Sequence, residues 1–143
     1  MKIEDIKKWF EIAKPNPTLE DACVQVGCHY EEFSEMAETL SDDYLQCEAS
    51  RVSLEYKRKV WYYADVLDNP SEHIKIKLLD DLCDQIVTSI GVAHMLGMDI
   101  EGALDEVNKS NHSKFEGGKA VLDENGKIKK GKDYFPPDLT KFI

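Results

Sequence analysis

Two short acidic patterns carry the side chains best suited to chemistry. Glu31-Glu32-Phe33-Ser34-Glu35 reads E-E-x-x-E, and Asp80-Asp81-Leu82-Cys83-Asp84 contains D-x-x-D. Residues three apart on a helix face the same way, so Glu32 with Glu35 and Asp81 with Asp84 each make a two-carboxylate claw. At about 100° per residue both pairs fall on the flank of an apolar stripe, and Gln25, Cys28 and His29 share the flank of Glu32. Claws on two neighbouring antiparallel helices can meet. Four converging carboxylates repel one another strongly in a partly buried site unless they are protonated or neutralised, and a hard divalent cation is the simplest remedy. All-oxygen ligation selects Mg²⁺ or Mn²⁺ over zinc. A di-iron bundle would need Glu-x-x-His pairs, whereas Glu35 and Glu38 stand three residues after Glu32 and Glu35. The plain alternative is that these acids are the solvated faces of two helices in an acidic protein.

The elements that must position these acids follow from apolar spacing. Ile3, Ile6, Phe10, Ile12 and Ala13 predict a short opening helix, stopped by Pro15 and Pro17. Thr18, with Asp21 three residues on, caps a long helix whose buried face is predicted at Leu19, Ala22, Val26, Tyr30, Phe33, Ala37 and Leu40. Ser41-Asp42-Asp43 breaks it. Leu45 to Leu67 contains no Gly or Pro and predicts one further long helix, closed by Asn69-Pro70-Ser71. Another runs from about Ile74 to Leu96, with Ile74, Leu78, Leu82, Ile86, Ser89 and Ala93 on its inner stripe and Gly97 as its stop. Asp99 caps a last helix over Ile100 to Asn111. Asn125-Gly126, between Ala120-Val121-Leu122 and Ile128, signals a tight β-hairpin. Gly131 to Ile143, with Tyr134-Phe135-Pro136-Pro137, reads as an extended strap across the body. The expected fold is all-α: a four-helix-bundle-like core over 18–115, then a short C-terminal β-hairpin and extended basic tail over 116–143, in one domain of 143 residues.

Charge divides the chain unevenly. Residues 1–106 carry 10 basic against 23 acidic side chains, while residues 107–143 carry 8 lysines against 5 acids. An acidic body that holds cations and a basic tail that holds anions together suit a metal-bound phosphate ester. The overall charge of -10 argues against a surface for nucleic-acid polymers, which needs a basic stripe. No run approaches the roughly 18 apolar residues of a membrane span, and the start is charged rather than signal-like. The expected compartment is therefore the cytoplasm, and Cys23, Cys28, Cys47 and Cys83, which lack the paired spacing of a zinc site, read as buried reduced thiols.

E-E-x-x-E on one helix followed by an acidic x-x-Asp pair on a later one resembles the MazG-like all-α nucleoside triphosphate pyrophosphohydrolases. Further similarity lies in 97–104 (Gly-Met-Asp-Ile-Glu-Gly-Ala-Leu), 106–115 (Glu-Val-Asn-Lys-Ser-Asn-His-Ser-Lys-Phe) and 126–131 (Gly-Lys-Ile-Lys-Lys-Gly), with Tyr134 and Pro136-Pro137-Asp138-Leu139. These resemble the branch containing phosphoribosyl-ATP pyrophosphohydrolase-like proteins, especially those of bacteriophages. The resemblance spans roughly residues 18 to 139. One position departs from it: Asp81 stands where the later claw usually begins with Glu, and its shorter arm alters the metal distance.

What the resemblance implies is a Mg²⁺-dependent hydrolase that releases pyrophosphate from a nucleotide. Glu32, Glu35, Asp81 and Asp84 would hold the metal. Glu35 or Glu31 would take the proton of the attacking water, with Glu31 otherwise facing solvent. Lys109, Asn111 and Lys114 would contact phosphate or sugar, matching the point charge of an ammonium and the two-way hydrogen bonding of an amide. Gln25 and His29, each one turn before the next functional residue, are further contacts to a base, a water or a carboxylate, and Tyr134 in the Pro-flanked tail is free to fold over a ligand or a neighbouring subunit. Trp61, Tyr62 and Tyr63 either stack on a base or fill the core. The family builds its bundles from more than one chain, so a homodimer or homotetramer is expected. Two other readings remain open: hydrolysis of phosphoribosyl-ATP itself, and a noncatalytic acidic helical adaptor.

Overall fold

The computed structural model describes residues 3–124 and 126–143, and of Trp61 the backbone alone. It is all-α: among the described residues there are six α-helices and no strand. No helix among them is long and apolar enough to cross a membrane. The chain divides into two compact units, one of Asn16–Pro70 with Leu122–Lys127, the other of Met1–Pro15, Ser71–Val121 and Ile128–Ile143.

The first unit is a helical hairpin. Helix α2 (Leu19–Thr39) opens on a capping box in which Thr18 Oγ1 accepts from the Asp21 N–H and the Asp21 carboxylate accepts from the Thr18 N–H. It ends where Ser41 turns left-handed, φ 61°, and Asp42 then caps α3 (Asp43–Lys57) by accepting from the Leu45 N–H. The seam between the two helices is made of small side chains: Cys23, Val24, Gly27, Ser34 and Ala37 on α2, Ala49 and Ser53 on α3. Close approach is what selects them. A Cβ on Gly27 would stand 2.8 Å from the Ser53 carbonyl oxygen. The Ser53 hydroxyl donates to the Gly27 carbonyl at 2.7 Å, and the Ser34 hydroxyl reaches both the Gln46 carbonyl at 3.0 Å and the Ser50 hydroxyl at 2.7 Å. The predicted face of α2 is corrected accordingly: of its seven residues only Ala37 is buried, while the bulky Leu19, Tyr30, Phe33 and Leu40 are exposed because they do not fit so narrow a seam.

The single helix expected over Leu45–Leu67 is also corrected. It breaks after Lys57, Lys59 adopts φ 56°, and a short α4 (Trp61–Ala64) folds back onto α2 and α3. A left-handed lysine costs roughly 1–2 kcal/mol. An aromatic cluster offsets it: Tyr56 stacks on Tyr30 with ring centroids 5.7 Å apart and meets Tyr63 at 4.9 Å.

In the second unit, α1 (Ile3–Ala13) lies on α6 (Ile100–His112) through Trp9, whose indole N–H donates to the Asn111 carbonyl at 2.9 Å and whose ring stacks on Phe115. Asp99 caps α6 as expected, accepting from the Gly102 N–H. The tail runs extended along α6: the Ser110 hydroxyl donates to the Phe135 carbonyl and the Asp99 N–H to the Phe142 carbonyl. A hydrogen-bonded turn closed by the Tyr134 N–H on the Gly131 carbonyl precedes it, and a 3-10 turn, Thr140–Phe142, ends it. Helix α5 (Glu72–Met95) begins on the Ser71 cap and stops where Gly97 turns left-handed, φ 74°, at the position the sequence assigned. Of its expected inner stripe only Ala93 is buried; Ile74, Leu78, Leu82, Ile86 and Ser89 are exposed.

The predicted C-terminal β-hairpin is not formed. Its turn residue Asn125 lies outside the described residues, and the flanking chain makes an Asp123 N–H to Lys127 carbonyl bond and a Lys129 N–H to Val121 carbonyl bond without becoming a strand. The Asp123 carboxylate also accepts from the Lys127 N–H, closing the loop on itself, and an isolated two-stranded hairpin of so few residues is marginal.

Candidate functional site

The most organised group of ionised side chains lies in the helical-hairpin unit. Glu31, past the midpoint of α2, is gripped by two ammonium groups, that of Lys57 at the end of α3 at 2.9 Å and that of Lys127 from the Leu122–Lys127 loop at 2.6 Å. Burial pushes the Glu31 carboxyl up, but the hydrogen bonds and charges of Lys127 and Lys57 outweigh it and hold the group below the usual carboxylate range. Burial likewise lowers Lys127, and the Glu31 carboxylate more than reverses this. One carboxylate shared by two lysines leaves the node with one positive charge. Cys28, one turn earlier and half-buried, is raised chiefly by burial, only partly offset by the two lysines, so its thiol stays protonated near neutral pH.

Next to this node the claw residues Glu32 and Glu35 stand exposed on α2, as do His29 and Gln25 one and two turns earlier. The sequence placed Glu31 either in solvent or on a water, and the structure places it in an ion pair instead. The two lysines were absent from the sequence-derived site. Ninety-six residues separate Lys127 from Glu31, and no spacing rule connects them.

The other expected residues lie in the second unit. Asp81 and Asp84 are exposed on α5. Lys114 is brought onto Asn111, its ammonium donating to the side-chain carbonyl at 2.7 Å, and lies 6.0 Å from the centre of the Trp9 ring. Lys109 turns to Glu106, 3.7 Å away, which it shares with Lys141. Tyr134 receives the Lys130 ammonium over its ring at 4.8 Å. Thus Asn111 and Lys114 form a pair, whereas Lys109 and Tyr134 are each engaged elsewhere.

All four cysteines are free thiols, but the expectation that they are buried is corrected: only Cys23 is, Cys28 is half-buried, and Cys47 and Cys83 are exposed on their helices. Among the described residues no three His, Cys, Asp or Glu side chains are gathered as a metal centre requires. Each claw offers two carboxylates of the hard-oxygen type that suits Mg²⁺, and the pairs belong to different units. Comparison with protein-family models, with curated proteins and with solved structures returns no match.

Proposed function

We propose that the chain is a Mg²⁺-dependent nucleotide pyrophosphohydrolase that acts in the cytoplasm and cuts a nucleoside triphosphate, or a related nucleotide, to its monophosphate and pyrophosphate. The observation that supports this best is the meeting of both signs of charge in one unit: Glu32, which opens the first claw, directly follows the Glu31 that Lys57 and Lys127 grip. A metal-bound polyphosphate needs carboxylates for its cation and ammonium groups for its remaining oxygens.

In this reading Glu32, Glu35, Asp81 and Asp84 hold Mg²⁺, for which Mn²⁺ can stand in, and the meeting of the two pairs at one ion is part of the proposal. Bound there, the metal would offset phosphate charge and acidify the attacking water. Glu35 takes the water's proton; Glu31, held ionised by two ammonium groups, is the poorer base and instead positions the lysines. Lys114, oriented by Asn111, binds a phosphate or sugar oxygen, and Lys109, Gln25, His29 and Tyr134 complete the contacts to substrate.

A bundle-like core and a homodimer or homotetramer belong to the same reading. Large apolar side chains stand exposed along α5, among them Leu78, Leu79, Leu82, Ile86, Val87 and Ile90, and an uncovered apolar surface of this kind calls for a partner.

The test is the release of pyrophosphate against phosphate from a panel of canonical, modified and alarmone nucleotides and phosphoribosyl-ATP, with Mg²⁺, for the wild type and Glu35→Gln. The expected result is pyrophosphate release that falls by about 10²–10⁴-fold in the variant, at an unchanged circular-dichroism spectrum. Mn²⁺ binding followed by electron paramagnetic resonance gives a readout independent of turnover. With neither release nor Mn²⁺ binding, the chain is an acidic helical adaptor; cleavage of phosphoribosyl-ATP alone transfers it to histidine synthesis.

A further inference from the structure

The helical-hairpin unit contains a second feature that the carboxylates and lysines do not use. Tyr56, Tyr62, Tyr63, Asp65 and Val66 line an open-mouthed hollow of about 430 Å³, within the size range of small-molecule sites. Its rings are held in fixed attitudes. Tyr56 is stacked from behind by Tyr30, Tyr63 is tilted against Tyr56, and Tyr62 stands edge-on to Tyr63 at 5.4 Å. Burial and the neighbouring Tyr30 and Tyr63 raise the Tyr56 phenol, so that ring stays uncharged. Aromatic residues that serve only as core are covered, whereas Tyr62 is 67% exposed and Val66 56%. The hollow therefore offers ring surface to a ligand.

Its position bears on what that ligand is. Tyr30 stacks on Tyr56 and, one residue further on both helices, Glu31 pairs with Lys57. The aromatic pair and the two-lysine node thus occupy consecutive positions on the same two helices, with Glu32 also acting on Lys127. A molecule that is flat at one end and anionic at the other satisfies both.

Building on the nucleotide reading above, we infer that the hollow lined by Tyr56, Tyr62, Tyr63, Asp65 and Val66 is the base subsite, that it takes a purine against the Tyr62 ring, and that Asp65 selects guanine. An ionised carboxylate only accepts hydrogen bonds. The guanine edge presents two adjacent N–H donors, from N1 and the 2-amino group, and can engage both carboxylate oxygens. Adenine and cytosine offer a single amino group beside a ring acceptor, and uracil one N–H flanked by two carbonyls, so each leaves one carboxylate oxygen unmatched or facing another acceptor.

The experiment uses the full-length chain without metal and probes it with guanosine, adenosine, cytidine and uridine, which carry no phosphate, by saturation-transfer NMR and titration. Guanosine is expected to bind most tightly. Tyr62→Ala weakens it by about tenfold, Tyr62→Phe recovers most of that loss because the ring does the stacking, and Asp65→Asn removes the preference for guanosine over adenosine. Because Tyr62 and Asp65 are exposed, these variants are expected to fold, which circular dichroism checks. No guanosine binding up to millimolar concentration, or equal affinity in the wild type and Tyr62→Ala, overturns the inference. The nucleotide assay separates the two proposals. Guanosine binding without pyrophosphate release upholds the base subsite and removes the hydrolase reading, while release whose KM is indifferent to Tyr62→Ala does the reverse.

Discussion

The α2–α3 hairpin and helix α5 are both long, both carry a carboxylate pair, and are finished in opposite ways. The hairpin is sealed by residues that leave no room for anything else: Gly27, Ser34 and Ala37 against Ala49 and Ser53, with serine hydroxyls donating into backbone carbonyls of the opposite helix. Helix α5 buries Ala93 alone and exposes a series of leucines, isoleucines and valines. Glu32 and Glu35 therefore stand on a support that is complete within one chain. The apolar residues of the helix that carries Asp81 and Asp84 are left uncovered within this chain.

The strongest way to break this comparison is to charge the uncovered helix. Leu82→Glu with Ile86→Glu on α5 is expected to weaken the proposed homo-oligomer by about 3–5 kcal/mol, since in that assembly a carboxylate would be buried without a partner. Light scattering is expected to show a monomer at micromolar concentration. An unchanged mass would mean that α5 is not the covered face. The wild-type chain running as a monomer at that concentration would remove the homo-oligomer altogether.

A smaller effect is expected from wedging the sealed seam. Gly27→Val places a branched side chain against the Ser53 carbonyl, where even a lone Cβ stands at 2.8 Å, and should destabilise the chain by about 2–3 kcal/mol in chemical denaturation. The same exchange at Gly91 of α5, where a Cβ would meet nothing within 4 Å, is expected to change stability far less. Equal losses at the two positions would erase the contrast between the helices.

The smallest effect concerns the ionic node and is read by pH. Because the folded Glu31 carboxyl titrates below the ordinary 4.5, its stabilisation is complete above that value and is lost as pH falls through the folded pKa. Because the folded Lys127 ammonium titrates above the ordinary 10.5, its share is complete below that value and is lost as pH rises through the folded pKa. Glu31→Gln is expected to cost about 1 kcal/mol across the interval between, a modest figure because all three groups are partly screened by water. Melting curves at pH 3, 7 and 11 should show the wild type and variant converging at the acid end. A constant difference at every pH would make Glu31 a packing residue.

Much of the local structure was legible in the sequence because it rests on contacts between near neighbours. Thr18 with Asp21, Asp42 in the Ser41-Asp42-Asp43 break, and Asp99 cap their helices through their own side chains, and Gly97 stops α5 because a residue without a Cβ turns left-handed at little cost. The extended strap from Gly131 was readable from its prolines. The break at Lys59 was not: no Gly or Pro marks it, and tyrosine rings from α2 and α4 determine it. Nor was the seam of α2 legible, since periodicity assigns the bulky residues to the core while the closeness of α3 admits only small ones. The same limit applied at the site, where the claws were visible as i, i+3 spacing and the lysines on Glu31 were not.

By itself the amino-acid sequence determined the all-α class, several helix caps and the stop at Gly97, the extended tail, and which carboxylates share a helix face, because each depends on backbone propensity and on side chains within one turn. Only the tertiary structure decided that Glu31 is held by Lys57 and Lys127, that Asn111 and Lys114 pair, and that tyrosines from α3 and α4 enclose a hollow. Those contacts join residues far apart along the chain, and their partners are chosen by which surfaces pack together, a choice that no local pattern encodes.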